Sequence, residues 1–276
     1  MSNGIMIVKR NGKKERLNID KIHVVVEHAC KDLAGVSSSQ IEMNANLQFY
    51  DGMSTVEIQE VLIRSANDLI TLDSVNYQYA AARLLSYNIH KEVFGEYNPY
   101  PLSKMIDLNI ERGVYDAEIK EKYSKEEIDR LNTFIKHDRD DNFTYAGLRQ
   151  VADKYLCQDR SSGELFETPQ YMYMMIAATL FANYPKENRM SFVRRYYDAT
   201  SLFKINIPTP VMAGVRTPVR QFASCVLVDS NDTLDSIFAS DMAIGRYTAQ
   251  RAGIGINAGR IRAVNSKIRG GEVAHT

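Results

Sequence analysis

Apolar side chains return every three or four residues through much of this chain: Ile22, Val25, Val26, Ala29 and Leu33, then Ile58, Val61, Leu62 and Leu69 with Ser65 on the same face, then Tyr77, Ala81, Leu84 and Leu85. That period turns one face of a helix toward a core, so three amphipathic helices are predicted. Ser54 with Glu57 and Ser124 with Glu127 form capping-box patterns, in which the serine and glutamate side chains satisfy free amides at a helix start. Thr168-Pro169 predicts a further start, with threonine as N-cap and proline at the first helical position. Ahead of these helices, two short strand-like runs flank Asn11-Gly12, a dipeptide that supplies the positive φ angles of a tight hairpin turn. A second hairpin is expected around Ser162-Gly163 in YLCQDRSSGELFE. The stretch FGEYNPYPLS, with a glycine and two prolines, marks the first boundary, so residues 1–95 read as a hairpin followed by several helices.

After residue 200 the texture changes. FKINIPTPVMAGVRTPVRQFASCVLVD carries alternating and branched apolar residues broken by prolines, the pattern of strands and loops. SCVLV is short, apolar and branched enough for a fully buried strand, a helical run follows from Leu234 to Gln250, and GIGIN is a second buried-strand candidate. Strand, helix, strand is the opening of a parallel α/β sheet or barrel.

Composition narrows the class. The 276 residues are 45% apolar and 25% charged, which is ordinary for a folded protein long enough for two domains. Lysine plus arginine and aspartate plus glutamate both total 34, so no overall field draws the molecule to nucleic acid or an anionic membrane. The longest apolar run, Met172 to Ala182, falls short of the roughly 20 residues of a membrane helix. No targeting segment is expected from MSNGIMIVKRNGKKER, which has no long apolar core. Cys30, Cys157 and Cys225 are scattered and make no C-x-x-C pair, which suits the reducing cytoplasm and argues against a disulfide framework or zinc. The five histidines are too dispersed for a metal site or a triad.

Two basic segments stand out. Between Asp241 and Glu272 there is no acidic residue, while Arg246, Arg251, Arg260, Arg262, Lys267 and Arg269 lie among glycines that would let backbone amides approach a ligand. The spacing G-x-G-x-x-x-G misses the dinucleotide fingerprint by one residue, so spacing alone leaves phosphate binding and a solvated basic turn both open. In the opening hairpin Lys9, Arg10, Lys13, Lys14, Arg16 and Lys21 are relieved by Glu15 and Asp20, and a solvated surface is the simpler reading of that spacing. Cys30 and Cys157 read as small core residues. Cys225 differs, because it lies where a polar loop meets a strand; a thiol there can be nucleophilic or redox-active. Met172, Met174 and Met175 read as core filler on a helix.

Four blocks, VKRNGKKERLNIDKI, TPVMAGVRTPVRQFASCVLV, DTLDSI and RAGIGINAGRIRAVNSKIRGGEVAHT, together resemble the large, catalytic subunit of class I ribonucleotide reductase, in order and over the whole chain. The resemblance implies a mainly α chain with an amino-terminal β-hairpin: an ATP-cone regulatory domain over 1–95, a helical domain over 96–220, and over 221–276 the first strands of an incomplete ten-stranded α/β barrel. It implies that Lys9, Glu15, Asn18, Lys21, Thr55 and Lys91 contact ATP or dATP in the cone. Thr209, Ser224, Ala252 and Gly253 would line the ribonucleoside diphosphate site, and Cys225 would be one of two cysteines oxidised to a disulfide as the ribose 2′-hydroxyl leaves as water. Asp232, Thr233, Leu234, Arg262 and Arg269 would form the specificity site for a deoxynucleoside triphosphate effector.

Where the family leads one to expect an aspartate and two histidines, the cone has Glu57, Gln59 and Asn88, which implies altered shut-off by dATP. The radical-bearing cysteine and second redox cysteine fall beyond these blocks. The chain is therefore expected to be the amino-terminal part of a split large subunit, partnered by a carboxy-terminal portion, within a large-subunit dimer. A separate small subunit would bear the di-metal tyrosyl radical, and an external thiol such as thioredoxin or glutaredoxin would re-reduce the cysteines. No metal in this chain, no nucleic acid and no membrane is expected. The rival readings are a non-catalytic ATP/dATP-sensing module and an inactive remnant.

Overall fold

The computed structural model describes residues 5–250, 252–268 and 271–273. Two compact units divide the chain, Met1–Ile207 and Pro208–Thr276.

The first unit opens with strands β1 (Met6–Val8) and β2 (Lys14–Arg16), paired antiparallel, and continues through α1 (Ile19–Cys30), α2 (Ser38–Asn46), α3 (Thr55–Asn67) and α4 (Tyr77–Phe94). It goes on with α5 (Leu102–Glu111), α6 (Glu118–Lys122), α7 (Lys125–Phe134), a 3-10 turn (His137–Asn142), α8 (Tyr145–Lys154), α9 (Pro169–Leu180) and α10 (Lys186–Ser201). The opening hairpin turns around Asn11-Gly12 as expected, with one positive φ angle where the dipeptide could supply two. Lys9 N donates to Lys13 O at 2.8 Å and Gly12 N to Lys9 O at 2.8 Å, and only Gly12 has positive φ, at +78°. This is a three-residue turn closed by a left-handed glycine, the next commonest solution for a right-twisted hairpin.

Helix α4 is the axis of this unit. It packs against α1, α3, α8 and the 3-10 turn. Ala80, Ala81 and Ala82 are buried beside Leu84, Leu85 and Ile89, so small residues let neighbouring backbones approach while the larger ones fill the core. Each fully buried leucine or isoleucine contributes about 1.5–3 kcal/mol through lost apolar exposure. Helix α9 is buried on every face from Pro169 to Ala178, which seats Met172, Met174 and Met175 in the core. Both capping boxes form: Ser54 with Glu57 starts α3, and Ser124 with Glu127 starts α7. Thr168 is the N-cap of α9, but its hydroxyl makes no cap hydrogen bond and is buried instead. The hairpin at Ser162-Gly163 is present, with Asp159 N donating to Glu164 O at 2.9 Å and Gly163 at φ +79°.

The second unit contains α11 (Thr209–Gly214), β3 (Cys225–Asp229), α12 (Leu234–Ala249), β4 (Gly253–Asn257), β5 (Lys267–Ile268) and β6 (Glu272–Val273). Strands β3 and β4 pair in parallel, Cys225 opposite Gly253 and Asp229 opposite Asn257, with α12 as the crossover packed on both. The strand–helix–strand order read from the pattern is therefore correct, but full burial is not. Along β3, Val226 and Val228 are half-buried while Cys225, Leu227 and Asp229 are exposed, Leu227 by 89%; on β4, Ile256 is also exposed. Parallel strands become apolar on both faces because helices or further strands cover both, and among the described residues α12 covers only one.

Candidate functional site

A cleft of about 600 Å³ opens between the β1–β2 hairpin, α1, α3 and α4. Lys9, Glu15, Asn18, Lys21, Thr55 and Lys91 all line it, so the structure gathers the six cone residues expected from the sequence. Several local interactions bring them there. Asn18 is the N-cap of α1, its Oδ1 accepting from Lys21 N at 3.1 Å, which fixes the first turn carrying Lys21. Strand β1 pairs briefly with the segment before α3, Val8 N donating to Met53 O at 3.0 Å, so Thr55 at the start of α3 comes beside Lys9. Lys91, near the end of α4, lines the same cleft.

The lining combines charged and apolar side chains. Glu15 sits between two ammonium groups, its Oε2 3.5 Å from Lys9 Nζ and its Oε1 3.7 Å from Lys21 Nζ. Ile7, Leu17, Ile22, Val25, Ile58 and Leu62 supply an apolar wall. Lysines that face a carboxylate in an accessible cleft can exchange it for phosphate oxygens, while the apolar wall suits a nucleobase. The residues present therefore fit a nucleotide.

Two further lining residues, Arg10 and Tyr87, lie outside the six expected contacts. Arg10 belonged to the basic hairpin, yet nothing local predicts that its guanidinium reaches across to Asn88 Oδ1, 2.6 Å away and 78 positions later. Burial pushes the Arg10 pKa down, with Glu92 and Tyr87 acting in the opposite sense. Tyr87 is the second, and its spacing of four from Lys91 on α4 was the available signal. The Lys91 ammonium lies 5.7 Å from the Tyr87 ring, which stacks on Tyr97.

The three positions where the resemblance leads one to expect other residues, Glu57, Gln59 and Asn88, each engage another group of the protein. Glu57 closes the α3 capping box through Ser54 N at 2.8 Å and accepts from the Tyr50 hydroxyl at 2.8 Å; the Ser54 amide and hydroxyl, then Tyr50, hold its carboxyl below the usual range. Gln59 is buried and donates to Leu84 O at 2.9 Å. Asn88 receives Arg10.

In the second unit the expected residues separate to the two ends of the β3–β4 pair. At the amino ends, Gly253 N donates to Ser224 O at 2.8 Å, Ala252 is buried just ahead, and the Cys225 sulfur lies 4.0 Å from where a Cβ on Gly253 would stand. Ser224, Cys225, Ala252 and Gly253 thus converge, with the Cys225 thiol free and exposed. Thr209 stands earlier in the chain as the first residue of α11. Cys30, by contrast, is a half-buried thiol whose pKa burial pushes up to about 11, and Cys157 is buried.

At the carboxyl ends, about 13 Å away along five residues of strand, lie Asp232, Thr233, Leu234 and Arg262. Arg262 Nε is 2.7 Å from Asp232 Oδ2. Thr233 caps α12, its hydroxyl accepting from Ser236 N at 3.2 Å. Arg269 lies outside the described residues. Among the described residues no group of three or more His, Cys, Asp or Glu is placed to hold a metal ion, and no helix is long and apolar enough to cross a membrane.

Comparison with known proteins gives these sites a family. Residues 5–92 match the ATP cone domain, 141–220 the all-alpha domain of ribonucleotide reductase, and 223–276 its barrel domain. The chain belongs to the ribonucleotide reductase large-subunit family and corresponds to an amino-terminal portion of it. It is 50% identical over its whole length to ribonucleoside-diphosphate reductase 1 subunit alpha of Escherichia coli strain K12, and 49% to the alpha subunit of Haemophilus influenzae. It is 42% identical over 274 residues to the alpha subunit of Enterobacteria phage T4. The chain spans about 36% of the length of each of these relatives.

Proposed function

We propose that this chain supplies the regulatory nucleotide sites, part of the substrate pocket and one redox cysteine of a ribonucleoside-diphosphate reductase. The observation that carries the reading is the convergence of Lys9, Glu15, Asn18, Lys21, Thr55 and Lys91 on one cleft. There the lysines take the phosphates of ATP or dATP, and the apolar wall takes the base. Because Gln59 is held by Leu84 O and Asn88 by Arg10, neither is free to respond to the nucleotide as an unengaged imidazole would, so inhibition by dATP is weak.

In the second unit, Thr209, Ser224, Ala252 and Gly253 hold the diphosphate substrate beside Cys225. Together with a second cysteine from outside these residues, the Cys225 thiol supplies two electrons and two protons; the ribose 2′-hydroxyl departs as water, hydrogen takes its place on carbon, and a disulfide remains. An external dithiol such as thioredoxin or glutaredoxin restores it. Asp232, Thr233, Leu234, Arg262 and Arg269 form the effector site, aspartate holding ribose hydroxyls and the arginines holding phosphate. The residues 1–95, 96–220 and 221–276 carry the cone, helical and barrel roles. Further polypeptide covers the exposed face of β3, which is consistent with a separate carboxy-terminal chain in a split subunit. The working assembly is a cytoplasmic large-subunit dimer with a radical-generating small subunit bearing the di-metal centre.

The test is reconstitution with the carboxy-terminal portion and the small subunit. Reduction of a ribonucleoside diphosphate is expected, and Cys225→Ser is expected to abolish it while ATP binding to the cone is unchanged. Full activity in Cys225→Ser refutes the catalytic reading and leaves a nucleotide sensor.

A further inference from the structure

At the carboxyl ends of β3 and β4, two arginines of one turn grip the facing loop in different ways. Arg262 meets Asp232, a residue the effector reading assigns to ribose. Arg260 meets none of the assigned residues: its guanidinium is 3.0 Å from Asp229 Oδ2 and 3.2 Å from Asn231 Oδ1. The other oxygen of Asp229 accepts from Asn257 Nδ2 at 3.0 Å, and Asn257 Oδ1 accepts from Gly259 N at 3.0 Å. Asn231 is fixed in turn, its N–H donating to Ser236 Oγ at 2.8 Å beside the Thr233 cap. Five polar contacts therefore tie the last residue of β3, the last residue of β4, the start of α12 and the turn after β4 into one network.

An effector whose ribose hydroxyls engage Asp232 and whose phosphates engage Arg262 must replace the Arg262–Asp232 ion pair, because one carboxylate and one guanidinium face cannot serve both partners in full. The turn then loses that link to the α12 loop at the moment of binding. Arg260 keeps its partners, since neither Asp229 nor Asn231 is drawn to the ligand.

We propose that Arg260 is a positioning residue of the effector site, holding the turn after β4 against the α12 loop so that Arg262 can exchange Asp232 for phosphate without the site opening. This rests on the effector-site reading above. Two consequences separate it from a phosphate contact. Loss of Arg260 weakens every ligand of the site by the same factor, whatever its phosphate count, whereas loss of Arg262 weakens triphosphates selectively.

The experiment is titration calorimetry of the full 276-residue chain with dTTP, dTMP and ATP. Arg260→Ala is expected to weaken dTTP and dTMP equally, by about fivefold, the size of a partly exposed ion pair, with ATP affinity at the cone unchanged. Asp229→Asn, which keeps a hydrogen-bonding partner for Asn257, is expected to give the same uniform loss, and Arg260→Lys to recover most of it. Arg262→Ala is expected to bring dTTP down toward dTMP. Failure of the unaltered chain to take up dTTP overturns the effector-site reading itself. Uptake by the unaltered chain with no change in Arg260→Ala, or a loss confined to dTTP, overturns the role of Arg260 alone.

Discussion

Replacing Lys9 by alanine removes two things at once from the cone cleft. The first is a cation for phosphate; a charge-assisted hydrogen bond is worth about 1.5–3 kcal/mol, and the lower end applies because the Lys9 side chain is 42% exposed. The second is the screen over Glu15, whose carboxylate lies 3.5 Å from Lys9 Nζ and 3.7 Å from Lys21 Nζ. Without Lys9, that carboxylate faces the incoming phosphates with Lys21 alone. At about 6 Å and near-bulk dielectric the repulsion is about 0.7 kcal/mol. The two effects add to about 2 kcal/mol, or about thirtyfold in ATP affinity. Titration calorimetry reads it directly, and the loss should shrink with added salt, which screens exposed charge. The double variant Lys9→Ala/Glu15→Gln should regain about threefold over Lys9→Ala, the unscreened repulsion alone. An affinity for ATP within twofold of the unaltered chain in Lys9→Ala would refute the assignment of this cleft. A double variant no better than the single would refute the role given to Glu15.

Two further outcomes concern the helical scaffold. Arg189 is buried, forks onto both oxygens of Glu127 and lies 4.2 Å from the Tyr123 ring, while Glu127 itself is partly exposed and keeps the Ser124 amide, so Arg189→Ala should cost about 1.5–3 kcal/mol and lower Tm by about 5 °C by calorimetry. Burial pushes the Glu127 carboxyl up, but the Arg189 fork and the Ser124 amide together hold it below its usual range; the stabilisation is present above the unfolded-state pKa and fades as pH falls through the folded one, so the penalty should diminish in acid. His137 responds to acid in its own way: burial, then the neighbouring His90, lower its pKa from 6.5 to about 4, so the folded state keeps it neutral. Its unfolded form takes a proton first, and stability should drain away by roughly 3 kcal/mol as pH falls from 6.5 toward 4. His137→Phe, which preserves edge packing on Tyr171, should flatten that part of the unfolding profile; an unchanged acid limb would refute the assignment.

Local chemistry made much of this architecture legible. Ser54–Glu57 and Ser124–Glu127 announced two helix starts because a capping box needs only residues three apart. The strand, helix, strand order after residue 225 followed from runs of branched apolar residues, and the cone residues followed from family blocks rather than from spacing. What stayed hidden depended on distant partners. The length of the hairpin loop does not follow from Asn11-Gly12 alone. Arg10 looked like solvated charge because its partner, Asn88, lies 78 positions away. SCVLV looked wholly buried because composition records how apolar a strand is, not which of its faces is already covered.

The alternation along β3 has a further consequence. Cys225, Leu227 and Asp229 form a column on one side, with the valines turned to the other. A slip of one residue would swing the sulfur under the crossover helix and shut it away from any reductant. The Asp229–Asn257 hydrogen bond at the far tip opposes that slip together with the backbone pairing, so a carboxamide four residues downstream of Gly253 helps keep the thiol on the open side.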